Sequence, residues 1–337
     1  MPKRSRAERN YIARRRLRRV LNQHTVANAR TLEQKISDAG PSDLRIDPHI
    51  LTRVRNTMHR EGELSVIKHA GIDWYALPEA DPNLLQTRLE LQAETLIALR
   101  QRSLSQRMGQ TLEIATYKAL LQLENSIFFG RFKDLEEHLD DQIYRKEEPP
   151  QHLGSRELQG DERLDFLVSI SSGTWLGLEC KNIREWLYPD RTEIRDAIDK
   201  CLRLDCIPVI IGRRIPYVTF RLLQPCGVII HQTYNQLFPA SDQDLADRAR
   251  HKRNLGYHDI RVGNVPDDRL VKFVTKNLLT VADAARERFD AYKDLLEAFV
   301  SHDIPYDEFA ARVRRRQSGS NEDRDWEVSD PADWDEY

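Results

Sequence analysis

The chain has 337 residues, room for about two domains, and 40% of them are hydrophobic and 31% charged. No run approaches the ~18 apolar residues of a membrane span, so we expect a cytoplasmic protein with no membrane partner. The four cysteines form no CxxC pair and no histidine lies at zinc-ligand spacing, which indicates reduced thiols rather than a disulfide or zinc scaffold. The net charge of −2 hides an asymmetry: residues 1–20 hold nine Lys and Arg against one Glu, and residues 318–337 hold eight Asp and Glu against one Arg.

The first 80 residues predict a small domain of three helices and a hairpin. The first helix is rich in arginine, and a second is predicted from Thr31 as N-cap, with Gln34 as its capping-box partner, to Gly40. A third begins with Asp47 as N-cap and a proline directly after it. Two short strands about an Ala-Gly turn follow. This order is that of a winged helix-turn-helix, so we predict a winged-helix DNA-binding domain over residues 1–80.

The third helix of such a domain enters the major groove, where arginine can bind guanine and asparagine can bind adenine. Basic side chains elsewhere would contact phosphates, and their binding would be sensitive to salt. The alternative is a winged helix that binds protein, which is a common use of this fold. The candidate DNA-binding residues are Arg53, Arg55, Asn56, His59 and Arg60 on the third helix, Lys68 on the wing, and Arg14, Arg15 and Arg18 on the first helix.

The rest of the chain alternates helical and strand patterns. The acidic end predicts a disordered tail that solubilises the protein, and a tail that mimics DNA is the less favoured alternative. In chain order the predicted segments are a helical connector (81–106), a further helical stretch (107–145), a hairpin (162–182), a helix (RTEIRDAIDKCLRL), a buried strand (IPVIIG), another strand (GVIIHQTYNQLF), two helices (267–280 and 281–300) and the acidic tail (317–337).

The hairpin carries three charged side chains that are costly to bury, Asp165, Glu179 and Lys181. Side chains on a strand alternate between its two faces, so Glu179 and Lys181 share a face. The triplet Glu-x-Lys occurs a second time at Glu33-Gln34-Lys35, where the helical pattern predicts an ordinary solvated face. Only the copy in the hairpin has a partner strand with a carboxylate.

The register of the hairpin follows from its loop. A three-residue loop, Ser171-Ser172-Gly173, would place Phe166 opposite Leu178 and Asp165 opposite Glu179. The apolar faces of the two strands then coincide, and the two carboxylates lie roughly 5 Å apart at Cβ. Carboxylates this close repel each other unless a cation lies between them, and their oxygens are ligands that suit Mg²⁺.

This pattern resembles the PD-(D/E)xK signature of restriction-endonuclease-like nucleases, in which an Asp and a hairpin precede a triplet such as Glu179-Cys180-Lys181. The family core runs helix, three strands, helix, strand, and residues 105–240 have a similar order. The resemblance implies an α/β fold with a restriction-endonuclease-like core, a mixed central sheet flanked by helices, within a nuclease domain over residues 107–300. The sequence departs from the family pattern at Leu164, where the signature has Pro, and shows no clear first core strand between residues 150 and 160.

The resemblance implies Mg²⁺-dependent cleavage of double-stranded DNA, with Mn²⁺ as a substitute. It assigns Asp165, Glu179 and the backbone carbonyl of Cys180 as metal ligands. Glu113 on the first core helix would support a second metal or a bridging water, unless it pairs with Lys118 or faces solvent. Lys181 would position or activate the attacking water.

Together these inferences predict a metal-dependent endodeoxyribonuclease of restriction or defence type, a homodimer if both strands are cut. One alternative is a repair nuclease or Holliday junction resolvase, which would prefer branched DNA. The other is a non-catalytic DNA-binding regulator whose nuclease-like domain is only a scaffold, because fold alone does not determine function.

Overall fold

The computed structural model describes residues 5–38, 46–124, 126–137, 140–170 and 173–320, a mixed α/β protein as predicted. Its helices are α1 Arg6–His24, α2 Ala29–Ile36, α3 Pro48–Arg60, α4 Pro82–Leu99, α5 Arg102–Leu120, α6 Thr192–Leu204, α7 Tyr217–Leu223, α8 Gln243–Arg250, α9 Asp268–Lys272, α10 Leu278–Val300 and α11 Tyr306–Ser318. Its strands are β1 Val26–Asn28, β2 Ser65–His69, β3 Ile72–Ala76, β4 Ile127–Phe129, β5 Arg131–Phe132, β6 Lys146–Glu147, β7 His152–Leu153, β8 Arg156–Glu157, β9 Phe166–Ser169, β10 Trp175–Lys181, β11 Ile207–Gly212, β12 Ile229–Gln232, β13 Gln236–Phe238 and β14 Ile260–Val262.

The chain divides into two compact units. The first unit contains the described residues up to Ser105 together with Asp242–Ile260, and the second contains those of Gln106–Ser241 and those from Arg261 to Ser320. The predicted boundaries differ from this division, because α4 was expected in a separate connector and α8 in the nuclease domain. Both helices instead belong to the first unit, where the Asn254 amide nitrogen donates a buried hydrogen bond to Thr95 Oγ1 on α4 (2.7 Å).

The helices of the first unit begin at capping residues. Ser5 and Glu8 form a capping box at the start of α1. Asp47 precedes α3 and a proline opens that helix, as predicted, although the Asp47 side chain makes no capping hydrogen bond. The prediction of Thr31 as the N-cap of α2 was wrong, because Asn28 Oδ1 accepts the Thr31 N–H (3.0 Å) and so caps the helix three residues earlier. Its predicted end at Gly40 lies outside the described residues.

The Glu-x-Lys copy on α2 does not lie on a solvated face. Gln34 is buried and its Nε2 lies 3.4 Å from His258 Nε2, so it forms no capping box. Lys35 is half-buried, with its Nζ 3.5 Å from the Lys252 carbonyl oxygen. Burial lowers the pKa of Lys35 to about 8. The predicted solvated face is instead covered by the returning segment Asp242–Ile260.

The first unit also contains a three-stranded antiparallel sheet in the order β1-β3-β2. Ala70 and Gly71 both have positive φ, as the two-residue turn between β2 and β3 requires. The apolar faces of α1, α2 and α3 pack together into one core around Leu17, Leu32 and Leu51, each fully buried.

The second unit is built on a five-stranded mixed sheet in the order β12-β11-β10-β9-β4. Strands β4, β9 and β10 run antiparallel, and β10, β11 and β12 run parallel. The first strand of this sheet is Ile127–Phe129, so it lies outside residues 150–160, where the sequence showed no clear first core strand. A three-residue strand is too short to show a period of two, and residues 150–160 form the small pair β7 and β8 instead.

Two further boundaries differ from prediction. The helices expected at 267–280 and 281–300 are α9 and α10, joined by the π-helical segment Phe273–Asn277, because no helix-breaking residue stands near position 280. Helix α11 continues to Ser318, two residues into the predicted acidic tail, and residues 321–337 lie outside the described residues. Among the described residues, no helix combines the length and apolar character needed to cross a bilayer.

The register of the β9–β10 hairpin confirms the predicted pairing of Phe166 with Leu178. Gly173 has a positive φ of 78°, a conformation that glycine adopts readily at the end of a three-residue hairpin loop. The two serines of the loop lie outside the described residues. The paired strands end at Phe166, so Asp165 and Glu179 do not form the backbone pair that we expected. The Asp165 N–H donates to the Leu178 carbonyl instead (3.1 Å).

Candidate active site

The candidate site lies at the end of β10, on the strand face covered by α6. The Glu179 side chain is 2% exposed, and each of its two carboxylate oxygens accepts a hydrogen bond from a lysine. Lys181 Nζ donates to Oε2 (2.5 Å) and Lys200 Nζ, from α6, donates to Oε1 (2.7 Å). A buried carboxylate is tolerated when both oxygens are satisfied in this way.

Asp165 lies at the beginning of β9 and connects to β10 through its side chain. Its Oδ2 accepts the backbone N–H of Cys180 (2.6 Å), which places the carboxylate against the backbone between Glu179 and Lys181. This bond accounts for the difference from the predicted register, because the side chain takes an N–H that pairing could have used. Within the described part of the chain, no lysine or arginine forms an ion pair with Asp165.

The protonation of the site follows from this arrangement. Burial raises the pKa of Asp165, and the nearby carboxylates of Glu179 and Glu113 raise it further. Burial alone would also raise the pKa of Glu179, but Lys181 and Lys200 hold it below its usual value. The pKa of Lys181 is raised, because the attraction of Glu179 and Asp165 outweighs its burial. Lys181 and Glu179 are therefore a charged pair at neutral pH, whereas Asp165, with its pKa raised to about 8, is largely protonated when no cation lies beside it.

Glu113, on α5, is the second carboxylate close enough to Asp165 to raise its pKa. Its Oε2 accepts a hydrogen bond from Lys146 Nζ (2.7 Å), and the Lys146 side chain is only 4% exposed. The alternative partner considered for Glu113, Lys118, instead donates to Asn264 Oδ1 (2.5 Å). Glu113 thus faces the candidate site rather than solvent.

Sequence reasoning missed Lys146 and Lys200. Lys146 comes from a two-residue strand, and its ammonium also lies over the ring of Phe166 (4.8 Å to the centroid). Lys200 stands beside the buried Cys201 on α6, so a helical-wheel analysis would place it at the border of the inner face. That position was the only signal in the sequence that could have suggested Lys200.

Two buried polar contacts fix the strand on either side of Lys181. The Cys180 side chain points to the apolar face, as predicted, where its Sγ donates to Thr116 Oγ1 (3.3 Å). The Asn182 side chain donates to the carbonyls of Met108 (2.6 Å) and Leu237 (2.7 Å) and accepts the Leu237 N–H (3.0 Å). The end of β10 is therefore anchored to α5 and β13, and a rigid support of this kind suits a precise site.

The oxygen atoms of the candidate site are chemically suited to bind a divalent cation. Among the described residues, no three His, Cys, Asp or Glu side chains are arranged as a ready-made metal cluster. Two carboxylates and a backbone carbonyl are nevertheless oxygen ligands of the kind that Mg²⁺ prefers, and Mg²⁺ usually keeps several waters. A cation beside Asp165 would relieve the repulsion that raises its pKa. Asp165, Glu179 and the Cys180 carbonyl would be the ligands.

The candidate DNA-binding residues on α3 differ in their exposure to solvent. Asn56, His59 and Arg60 are exposed, and Arg53 is half-buried. The prediction that Arg55 faces outward was wrong, because Arg55 is 8% exposed and its guanidinium lies over the ring of Tyr75 (4.6 Å to the centroid). The helix needs this side chain to cover β3, so the buried stripe is wider than the apolar residues alone indicate.

The basic residues outside α3 also differ in their surroundings. Arg14 pairs with Glu61 and Glu63, and Arg18 pairs with Glu63 (3.1 Å), so their charges are partly neutralised. Arg15 is exposed. Lys68 is on β2 with 84% of its side chain exposed and pairs with Asp73 (3.0 Å). Exposed pairs of this kind are weak, so a phosphate can compete for Lys68.

Comparison of the chain with protein-family models, with curated proteins and with solved structures found no match. The function of the protein is therefore inferred from the geometry of the site.

Proposed function

We propose that this protein is a Mg²⁺-dependent DNA endonuclease, with a winged-helix DNA-binding domain in the first unit and a PD-(D/E)xK nuclease core in the second. The order of elements supports the core assignment: helix α5, the antiparallel strands β4, β9 and β10, helix α6, and then β11 parallel to β10. The order α1, β1, α2, α3 and the β2–β3 hairpin supports the winged helix.

One observation carries the proposal. Asp165 is fixed against the backbone of β10 by the Cys180 N–H, between Glu179 and Lys181, and no ion pair with a described residue neutralises it. Folding would not gain from a third carboxylate near Glu179 and Glu113, since like charges repel. Such an arrangement is typical of a site that recruits a cation.

The chemistry required of these residues is hydrolysis of a phosphodiester bond. Bound Mg²⁺ would neutralise phosphate charge and lower the pKa of a water molecule. Lys181 stays protonated beside Glu179, so it is a hydrogen-bond donor rather than a base. It would hold the attacking water and stabilise the negative charge that develops on the phosphate. Glu113, with Lys146, would hold a second cation or a bridging water.

The first unit would direct this chemistry to DNA. Asn56, His59 and Arg60 share the exposed surface of α3, and Arg15 adds an exposed cation on α1. We assign them to contacts with the major groove and with phosphates. Cutting of both strands would require two sites, which a homodimer would provide.

The test is a cleavage assay on plasmid and linear duplex DNA with Mg²⁺, with Mn²⁺ and with EDTA. Asp165→Asn and Lys181→Met should each reduce the cleavage rate by about 100-fold or more, because each removes a group that acts on the phosphate. Lys118→Met is the matched control, since it removes a lysine that bonds to Asn264 away from the carboxylates.

The outcomes separate the alternatives. Cleavage that persists in EDTA or in both variants contradicts the proposal. Faster cutting of four-way junctions than of linear duplex would indicate a resolvase. DNA binding without cutting on any of these substrates would indicate the non-catalytic regulator. In a binding assay, Arg60→Ala should weaken binding and flatten its salt dependence, whereas Arg55→Ala should act through stability.

A further inference from the structure

We propose that Lys200 is a positioning residue that holds Glu179 and the segment leading to Asp165 in one geometry, an inference that rests on the proposed nuclease function. Lys200 Nζ donates to Glu179 Oε1 and to the backbone carbonyl of Arg163, both at 2.7 Å. Arg163 stands two residues before Asp165. One ammonium therefore joins α6, the end of β10 and the chain that enters β9.

Lys200 is needed because the other lysine that bonds to Glu179, Lys181, also has to act on the substrate. Lys181 also bonds to Glu179, and when it acts on a water or phosphate its three N–H donors are shared between Glu179 and that group. The Glu179 side chain is 2% exposed, and a buried carboxylate left without a cation is strongly unfavourable. With Lys200 in place, Glu179 keeps one cation while Lys181 turns to the substrate.

The two lysines differ in the way that this division of roles requires. The Lys200 side chain is 17% exposed and makes two hydrogen bonds to groups that belong to the protein's own frame. The Lys181 side chain is 23% exposed, and Glu179 is its hydrogen-bond partner among the described residues. Lys200 is thus the fixed cation and Lys181 the one that is available for the reaction.

The kinetic test compares Lys200→Met with Lys200→Arg. At saturating Mg²⁺, Lys200→Met should reduce kcat for DNA cleavage by about 10-fold or more and leave KM for DNA within about two-fold, because it disturbs the site but not DNA binding. Lys200→Arg keeps the charge and should recover part of the loss. Lys118→Met is again the matched control, since Lys118 bonds to Asn264 rather than to Glu179 or Arg163 and should leave kcat unchanged. A wild-type kcat in Lys200→Met overturns the proposal.

The structural test does not need activity. A crystal structure of Lys200→Met should show the Glu179 carboxylate or the Arg163–Asp165 backbone displaced by more than about 0.5 Å, the tolerance of a precise site. If neither the Glu179 carboxylate nor the Arg163–Asp165 backbone moves, the positioning role is refuted. If the wild-type protein cuts no DNA, the proposed function fails, whereas the displacement of Glu179 still decides the role of Lys200. Lys200→Gln replaces Lys200→Met in both tests if the latter does not fold.

Discussion

Asp165 is a destabilising residue at the centre of the site. Its pKa is raised in the folded chain, so the unfolded chain, with a pKa near 3.9, releases its proton at lower pH. Stability must therefore fall as the pH rises from about 4 toward the folded pKa, and the loss remains above it. The side chain is kept in spite of this cost, as is common for residues that serve a function.

Asp165→Asn should consequently stabilise the protein at pH 8 in EDTA by about 1–3 kcal/mol, because the amide is neutral but its oxygen can still accept the Cys180 N–H. The gain should shrink to nearly nothing at about pH 3, below the unfolded pKa near 3.9, where Asp165 is mostly protonated in both folded and unfolded states. Urea unfolding at the two pH values measures the difference. Equal destabilisation at both would show that the carboxylate is not strained.

Two glycines give a further test of packing at the residue scale. A Cβ on Gly177 would lie 2.6 Å from Cys201 Sγ and 2.8 Å from Cys206 Sγ, so Gly177→Ala should cost about 1–3 kcal/mol. A Cβ on Gly109, inside α5, would meet nothing within 4 Å, so Gly109→Ala should stabilise by about 0.5–1 kcal/mol. Thermal unfolding of both variants measures the contrast, and a shift of the same sign in both would contradict it.

Asp165, Glu179 and Lys181 could be predicted from the sequence, because the alternation of side chains along a strand and the length of a hairpin loop follow local rules. Lys146 and Lys200 could not be predicted in this way, since their distances to the site depend on how β6 and α6 pack against the sheet. For the same reason the prediction placed Arg55 outside, where charge and helical spacing alone put it.

At the scale of elements, α6 is fastened to α10 by Asp205. This residue follows α6 in a left-handed conformation, and its Oδ1 accepts hydrogen bonds from Arg286 (3.1 Å) and Lys293 (2.9 Å) of α10. Burial alone would raise the pKa of Asp205, but the bonds from Lys293 and Arg286 hold it below its usual value. This clamp, formed by Asp205, Arg286 and Lys293, fixes the helix that carries Lys200.

Asp205→Ala should therefore lower the free energy of unfolding at neutral pH by about 1–3 kcal/mol. A lowered folded pKa stabilises the protein above the unfolded pKa, and this stability is lost as the pH falls through the folded pKa. The difference between variant and wild type should thus shrink as the pH falls through the folded pKa of Asp205, which lies below its unfolded value. Asp199→Ala, which breaks the i,i+4 pair with Arg203 on the same helix, is the control and should cost less than about 0.5 kcal/mol. Equal effects of the two variants would contradict the clamp.

Elements long enough to show a clear hydrophobic pattern were predictable from the sequence. Very short elements, and contacts between segments far apart in the chain, were not. The pattern of α6 and the buried run of β11 indicated their type. The three residues of β4 carry too little pattern, and the association of Asp242–Ile260 with α2 and α4 depends on contacts across more than 150 positions of the sequence.

At the scale of the whole molecule, the first unit is completed by a segment from far along the chain. A fragment that ends at Ser105 lacks the buried bond from Asn254 to Thr95 and the contact of His258 with Gln34. Amide hydrogen exchange in α2 and α4 should be about 10-fold or more faster in this fragment than in the full chain, because an unpaired buried group costs about 1–3 kcal/mol. Adding Asp242–Ile260 through a flexible linker should restore protection, and equal exchange in both would contradict the division into units.

This return of the chain has a consequence for synthesis on the ribosome. An N-terminal domain usually folds while the rest is still being made. Here the winged-helix-like unit must wait for Ile260, which at ~5–20 residues per second means a delay on the order of ten seconds or more. The sheet that holds Asp165 and Glu179 ends at Gln232, so all of its strands are synthesised before Ile260. The core of the candidate catalytic unit, however, also includes Leu278 and Ala285 of α10, so this unit is completed later still, and neither unit can finish folding until most of the chain has been synthesised.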